Sequence, residues 1–146
     1  MKLKFCCLVC GLFLLSAEGF SQTEAFIWLL GTWKNEKRDI YEHWRPDIQS
    51  GFAGKSYRII AGDTALIDEM KIYRENGLYY YLPGKNGKGS SSPLLIRRMN
   101  SDYFFAEDKS SNTTRRIVYN RRRNHMQKNL LEAGNRSGSN KFIKLD

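Results

Sequence analysis

The chain has 146 residues, 24 Lys and Arg against 15 Asp and Glu, a net charge of +9 and 41% hydrophobic residues. That length holds one domain of ordinary size and excludes two. Its three cysteines, Cys6, Cys7 and Cys10, all stand within the first ten residues, which leaves no disulfide, thiol nucleophile or cysteine metal ligand further on.

The amino terminus reads as an export signal. Met1-Lys2-Leu3-Lys4 is positively charged, an uncharged and mostly apolar run of 11 residues follows from Phe5 to Leu15, and Ser16 to Gln22 is polar with small residues. This is the order of a cleavable signal peptide, and its apolar run is shorter than the roughly 18 residues a membrane span needs. A lipid anchor on Cys10 fits poorly, because Val9 stands where a lipobox carries a small residue. The expected organisation is a signal peptide over 1–21 and one domain over 22–146, exported to the periplasm or beyond, with no transmembrane segment. Without Lys2, Lys4 and Glu18, the domain keeps 22 basic against 14 acidic residues, a net of +8. Such a surface favours anionic partners over basic ones.

Thr23-Glu24-Ala25-Phe26-Ile27-Trp28-Leu29-Leu30 is the one stretch that reads as a short helix, with Thr23 as its cap. Beyond it, strands recur every 8–12 residues or so, and are expected at 32–35, 39–45, 52–60, 65–74, 78–82, 94–99, 103–107, 113–120, 125–132 and 140–145. Gly62-Asp63 and Asn76-Gly77 supply residues that tolerate the positive φ of tight hairpins. Residues 86–93 (NGKGSSSP) form a loop. Ten strands with short connections predict an all-β fold, an up-and-down antiparallel barrel, with a sandwich as the alternative. A barrel of this size encloses side chains or one small ligand.

Gly31-Thr32-Trp33 follows the short helix at the start of the first strand, as in lipocalin-like barrels, where such a tryptophan plugs the closed end. Further segments follow in order: Tyr41-Glu42-His43-Trp44, Gly51 with Gly54, Glu69-Met70-Lys71-Ile72, Leu78-Tyr79-Tyr80 and Arg116-Ile117-Val118-Tyr119. Together they resemble a bacterial family of exported, lipocalin-like (calycin-type) domains of unassigned function. The resemblance implies a calycin barrel and no particular activity. It also has a departure: Ser111-Asn112-Thr113-Thr114 stands where the family pattern carries His-Asp-Phe-Pro, so no His–Asp chemistry is available there.

Alternation places Glu42 on one face with Ile40 and Trp44, and Glu69 on one face with Ile67, Lys71 and Tyr73. If both faces turn inward, Glu42 and Glu69 form a carboxylate pair able to act as acid and base. The alternative is a buried carboxylate neutralised by Arg or Tyr, with Arg116 a candidate partner. Glu42, Trp44, Glu69, Tyr80 and Arg116 are therefore the candidate ligand-contacting residues of the lumen. No residue is assigned a catalytic role, since no nucleophile or orienting histidine accompanies the carboxylates.

His43 and His125 are isolated, so no metal site and no cofactor is expected. Arg121, Arg122 and Arg123 form the densest cluster of charge, suited to an anionic envelope component; the alternative is a solvated hairpin tip. Nucleic acid is not expected, given export. The aromatic runs Tyr79-Tyr80-Tyr81 and Tyr103-Phe104-Phe105 either line a cavity or fill the barrel. Asn112-Thr113-Thr114 and Asn135-Arg136-Ser137 match the glycosylation pattern, which matters only in a eukaryotic secretory pathway. These readings favour a non-catalytic module for a small apolar or anionic ligand. A lumenal acid/base enzyme and a structural protein acting through basic hairpins are the alternatives; oligomeric state is not legible.

Overall fold

The computed structural model of the chain describes residues 24–49, 51–84, 92–108, 115–132 and 135–146. The amino-terminal stretch that reads as an export signal, with its three cysteines, the Thr23 cap, most of the loop at 86–93, and Ser111 to Thr114 with its glycosylation pattern lie outside the described residues.

The domain is all-β. Its strands are β1 (Gly31–Asn35), β2 (Ile40–Asp47), β3 (Gly51–Ile60), β4 (Asp63–Glu75), β5 (Leu78–Leu82), β6 (Leu94–Asn100), β7 (Tyr103–Asp108), β8 (Arg115–Arg122), β9 (His125–Glu132) and β10 (Asn135–Lys144). Each strand pairs antiparallel with its neighbour in sequence, and β1 pairs with β10 to close the barrel. Closure leaves no unpaired edge, which settles barrel over sandwich.

The turns explain the register. β3 and β4 are joined by Ala61 (φ 51°) and Gly62 (φ 89°), and β4 and β5 by Asn76 (φ 50°) and Gly77 (φ 80°). Two consecutive positive φ values match the right-handed twist of the flanking strands. The first turn therefore uses Ala61-Gly62, one residue earlier than the expected Gly62-Asp63.

The segment before β1 is a short 3-10 helix, Glu24–Leu29. It seals the barrel end that carries the β4–β5, β6–β7 and β8–β9 turns. Phe26 is fully buried, with ring centroids of Tyr79, Phe52 and Phe104 at 5.3, 5.7 and 5.9 Å. Trp33 is also fully buried, and its indole N–H donates to the Leu29 carbonyl at 2.7 Å. That bond ties the helix to β1 and satisfies the buried indole. Above this floor, Tyr81, Tyr119, Phe104 and Trp44 continue the packing: Phe104 and Tyr119 stack at 4.8 Å, and Trp44 meets Tyr119 edge-on at 6.2 Å. From the helix to the level of Trp44 the interior is packed with aromatic side chains rather than hollow.

Candidate functional site

Polar groups enter the interior above Trp44, toward the end that carries the β1–β2 and β3–β4 connections. Alternation on β2 turns Glu42 inward with Trp44, and Glu42 is only 2% exposed. Its partner is Lys128 on β9, at 2.7 Å from Oε1. The other oxygen, Oε2, accepts from the Tyr119 hydroxyl at 3.3 Å and from the Trp44 indole N–H at 3.4 Å. Lys128 also lies 3.6 Å from the Met70 sulfur and 5.2 Å from the centre of the Tyr119 ring. Both oxygens of Glu42 are therefore engaged.

The charge states follow from the surroundings. Burial alone would push the Lys128 ammonium down, but the negative charge of Glu42 and its hydrogen bond, with the Asp68 charge adding to them, carry its pKa above the ordinary lysine value. Lys128 is thus held as a cation and is not an amine nucleophile. Burial, reinforced by Glu42, pushes the Tyr119 phenol well up, and burial also raises Tyr81. Both phenols stay protonated. With Tyr119 donating to Glu42, Tyr81 can donate to the Tyr119 oxygen 3.5 Å away.

A second acid stands apart from this network. Asp68 on β4 pairs across the sheet with Ser56 on β3, and the next pair is Tyr57 with Leu66. Ile67 is the extra residue of a β-bulge, and bulges re-aim side chains in this way: Ile67 and Asp68 both reach the interior. Asp68 Oδ1 is buried without a hydrogen-bond partner. Burial raises the Asp68 pKa, while the charge of Lys128 works in the opposite direction. Gly84 sits directly over this carboxyl; a Cβ there would fall 1.9 Å from Oδ1, so only glycine leaves room for it.

These groups surround a recess of about 210 Å³. Arg38, Glu42, Ser56, Asp68, Lys128 and Asn140 give it polar walls, and Ile40, Ile67 and Phe142 an apolar one. At the rim, the Arg38 guanidinium donates to the Asn140 side-chain oxygen. A second hollow of about 380 Å³, which shares Arg38 and Ile40, adjoins it along β2 and β3.

Several expected lumen residues are elsewhere. Glu42 and Trp44 face inward as anticipated. Glu69 does not: Met70 and Ile72 take the inner face of β4, and Glu69 points outward to Lys55 at 3.4 Å, both side chains more than half exposed. The carboxylate pair of Glu42 and Glu69 therefore does not exist, and the acid/base reading built on it falls. Tyr80 is likewise outside, stacked on Tyr73 at 5.5 Å, while Tyr79 and Tyr81 are buried. Arg116 is exposed on the outer face of β8 and pairs with Glu107 at 3.4 Å, because Ile117 and Tyr119 hold the inner positions.

The arginine triplet is divided. Arg121 lies over the Trp28 ring at 5.9 Å, while Arg122 and Arg123 are exposed at the β8–β9 turn. Gly31 and Trp33 lie at the sealed end as expected, with Asp146 accepting from the backbone N–H of Thr32. His43 and His125 are at the surface, bonded to Thr32 and Glu36.

Sequence reasoning missed Asp68, Lys128, Ser56 and Tyr119. For Asp68 a signal existed, since it shares its alternation with the apolar Met70 and Ile72. Lys128 carried the same signal, sharing its alternation on β9 with the apolar Met126 and Leu130. No protein-family model, no curated protein and no solved structure matches this chain.

Proposed function

We propose that this protein is an exported, non-catalytic barrel that binds one small polar molecule in the recess beside Asp68. The observation that supports this reading is the contrast inside the barrel. The half toward the helix is packed with aromatic rings, whereas the other half keeps a recess of about 210 Å³ with polar groups on its walls. A purely structural barrel gains nothing from leaving a buried carboxylate oxygen unbonded, because such an atom costs free energy. A binding site does gain, since a ligand can make use of that carboxylate.

The recess beside Asp68, at about 210 Å³, is smaller than the roughly 300 to 1,000 Å³ of pockets for drug-sized molecules, which favours a small ligand at that position. Catalysis is disfavoured by the state of the groups: Glu42 has both oxygens engaged, and Lys128 is held protonated. The signal-like amino terminus and the resemblance to exported lipocalin-like domains support a location outside the cytoplasm.

Native mass spectrometry of the chain purified under mild conditions tests binding. The expected spectrum shows an adduct that disappears when Ile67→Trp fills the recess. Unliganded mass from the unsubstituted chain, together with no melting shift across a library of small polar metabolites, overturns the reading. Amino-terminal sequencing of the secreted product tests export: a start near Gln22 supports it, and an intact Met1 refutes it.

A further inference from the structure

The recess carries four charged side chains, and only two of them neutralise each other. Glu42 and Lys128 pair at 2.7 Å. Asp68 has no cation within ion-pair distance among the described residues, and its Oδ1 lacks a hydrogen bond. Arg38 is exposed at the rim, bonded to the Asn140 side-chain oxygen and to no carboxylate among the described residues. Ile40, Ile67 and Phe142 supply the apolar surface of the same recess.

We propose that the recess takes a small zwitterion of the amino-acid type, with its ammonium group on Asp68 and its carboxylate on Arg38. The inference rests on the reading of the recess as a binding site and gives that site a ligand class. A simple anion would find Lys128 already held by Glu42 and would lie against the charge of Asp68. A simple cation would satisfy Asp68 but meet Arg38 at the mouth and the positive field of the chain. A zwitterion answers both unpaired charges and brings no net charge with it. Arginine suits the carboxylate end, because its planar fork binds carboxylates in bidentate fashion. The size agrees: 210 Å³ is about seven waters' share of liquid volume at roughly 30 Å³ each, room for an amino acid with a short chain. Lys128 contributes at a distance, since its charge favours the ionised form of Asp68 that an ammonium group needs.

Isothermal titration of the full chain with four compounds of one carbon skeleton tests this: 4-aminobutyrate, butylamine, butyrate and 1-butanol. The zwitterion should bind at least about tenfold more tightly than either singly charged compound, the scale of one charge-assisted hydrogen bond. Asp68→Asn should weaken 4-aminobutyrate and butylamine about tenfold and leave butyrate no weaker. Arg38→Gln should weaken 4-aminobutyrate and butyrate and spare butylamine. Asp68→Asn is close to isosteric and Arg38 is on the surface, so circular dichroism should show both variants folded; if one is not, the other still decides. Butyrate binding as tightly as 4-aminobutyrate, an Asp68→Asn variant with unchanged affinities, or no binding of any of the four overturns the proposal. A chain that binds other library compounds but none of these remains a binding module and is not a zwitterion receptor.

Discussion

Replacing Lys128 with Met tests the polar interior most directly. Met keeps a long unbranched side chain beside Met70 and the Tyr119 ring but removes the charge. Glu42, 2% exposed, then loses its 2.7 Å partner. It keeps the Tyr119 hydroxyl and the Trp44 indole at 3.3 and 3.4 Å, both long for bonds to a carboxylate. A buried charge stripped of its partner costs about 3–5 kcal/mol. For a domain of this size that lowers Tm by about 10–15 °C. Urea unfolding followed by tryptophan fluorescence measures the loss, with Trp44 reporting from within the network. The double variant Glu42→Leu with Lys128→Met removes both charges. Buried pairs replaced by apolar groups are often neutral or better, although Tyr119 and Trp44 then lose an acceptor. The double variant should therefore recover at least about 2 kcal/mol relative to Lys128→Met, a coupling on the scale seen for residues in contact. A single-variant loss below about 1 kcal/mol, or a double variant that falls by the sum of the two singles, would refute the buried-pair reasoning.

Asp68→Asn should stabilise the unliganded chain at neutral pH. Burial raises the Asp68 pKa in the fold, and the Lys128 charge and a hydrogen bond from the Glu69 backbone only partly oppose it. The folded state therefore binds this proton more tightly than the unfolded chain, and stability falls as pH climbs from the ordinary Asp value of about 3.9 through the raised one. The Tm gain of the variant should be present at pH 7 and vanish near pH 3; an equal gain at both would exclude the carboxylate as its source. Gly54→Ala would put a Cβ within 2.8 Å of the Trp44 ring, an overpacking that costs about 1–3 kcal/mol and is measured by thermal melting with tryptophan emission. Glu69→Gln removes only an exposed pair with Lys55, so stability should stay within about 0.5 kcal/mol and recess affinity should not change. A loss of affinity there would reinstate Glu69 as a site residue.

How much of the site could be read in advance differs from strand to strand. On β4 the inner face is marked by Met70 and Ile72, and the same alternation carries Asp68 inward and Glu69 out. The Asn76-Gly77 turn then sets Ile72 opposite Tyr81, which assigns the tyrosine run: Tyr79 and Tyr81 inside, Tyr80 outside. Both points follow from pattern and turn chemistry, which put Asp68 rather than Glu69 on the inner side of β4. On β8, Ile117 and Tyr119 hold the inner positions and put Arg116 outside. The bulge at Ile67 is different. No glycine or proline announces it, and it shows only as a skipped pair between two strands.

The strand succession, the turn residues, the short segment ahead of β1 and the Gly31-Thr32-Trp33 start are local features. They depend on alternation and on residues that tolerate positive φ, so the sequence alone determined an all-β meander and the approximate bounds of its strands. Barrel closure, the aromatic packing around Phe26 and the Glu42–Lys128 pair across 86 positions were decided only by the tertiary structure. A strand pattern says which residues share a face. Which face turns inward, and which side chain meets which across the interior, is decided when β1 pairs with β10 and the ring closes.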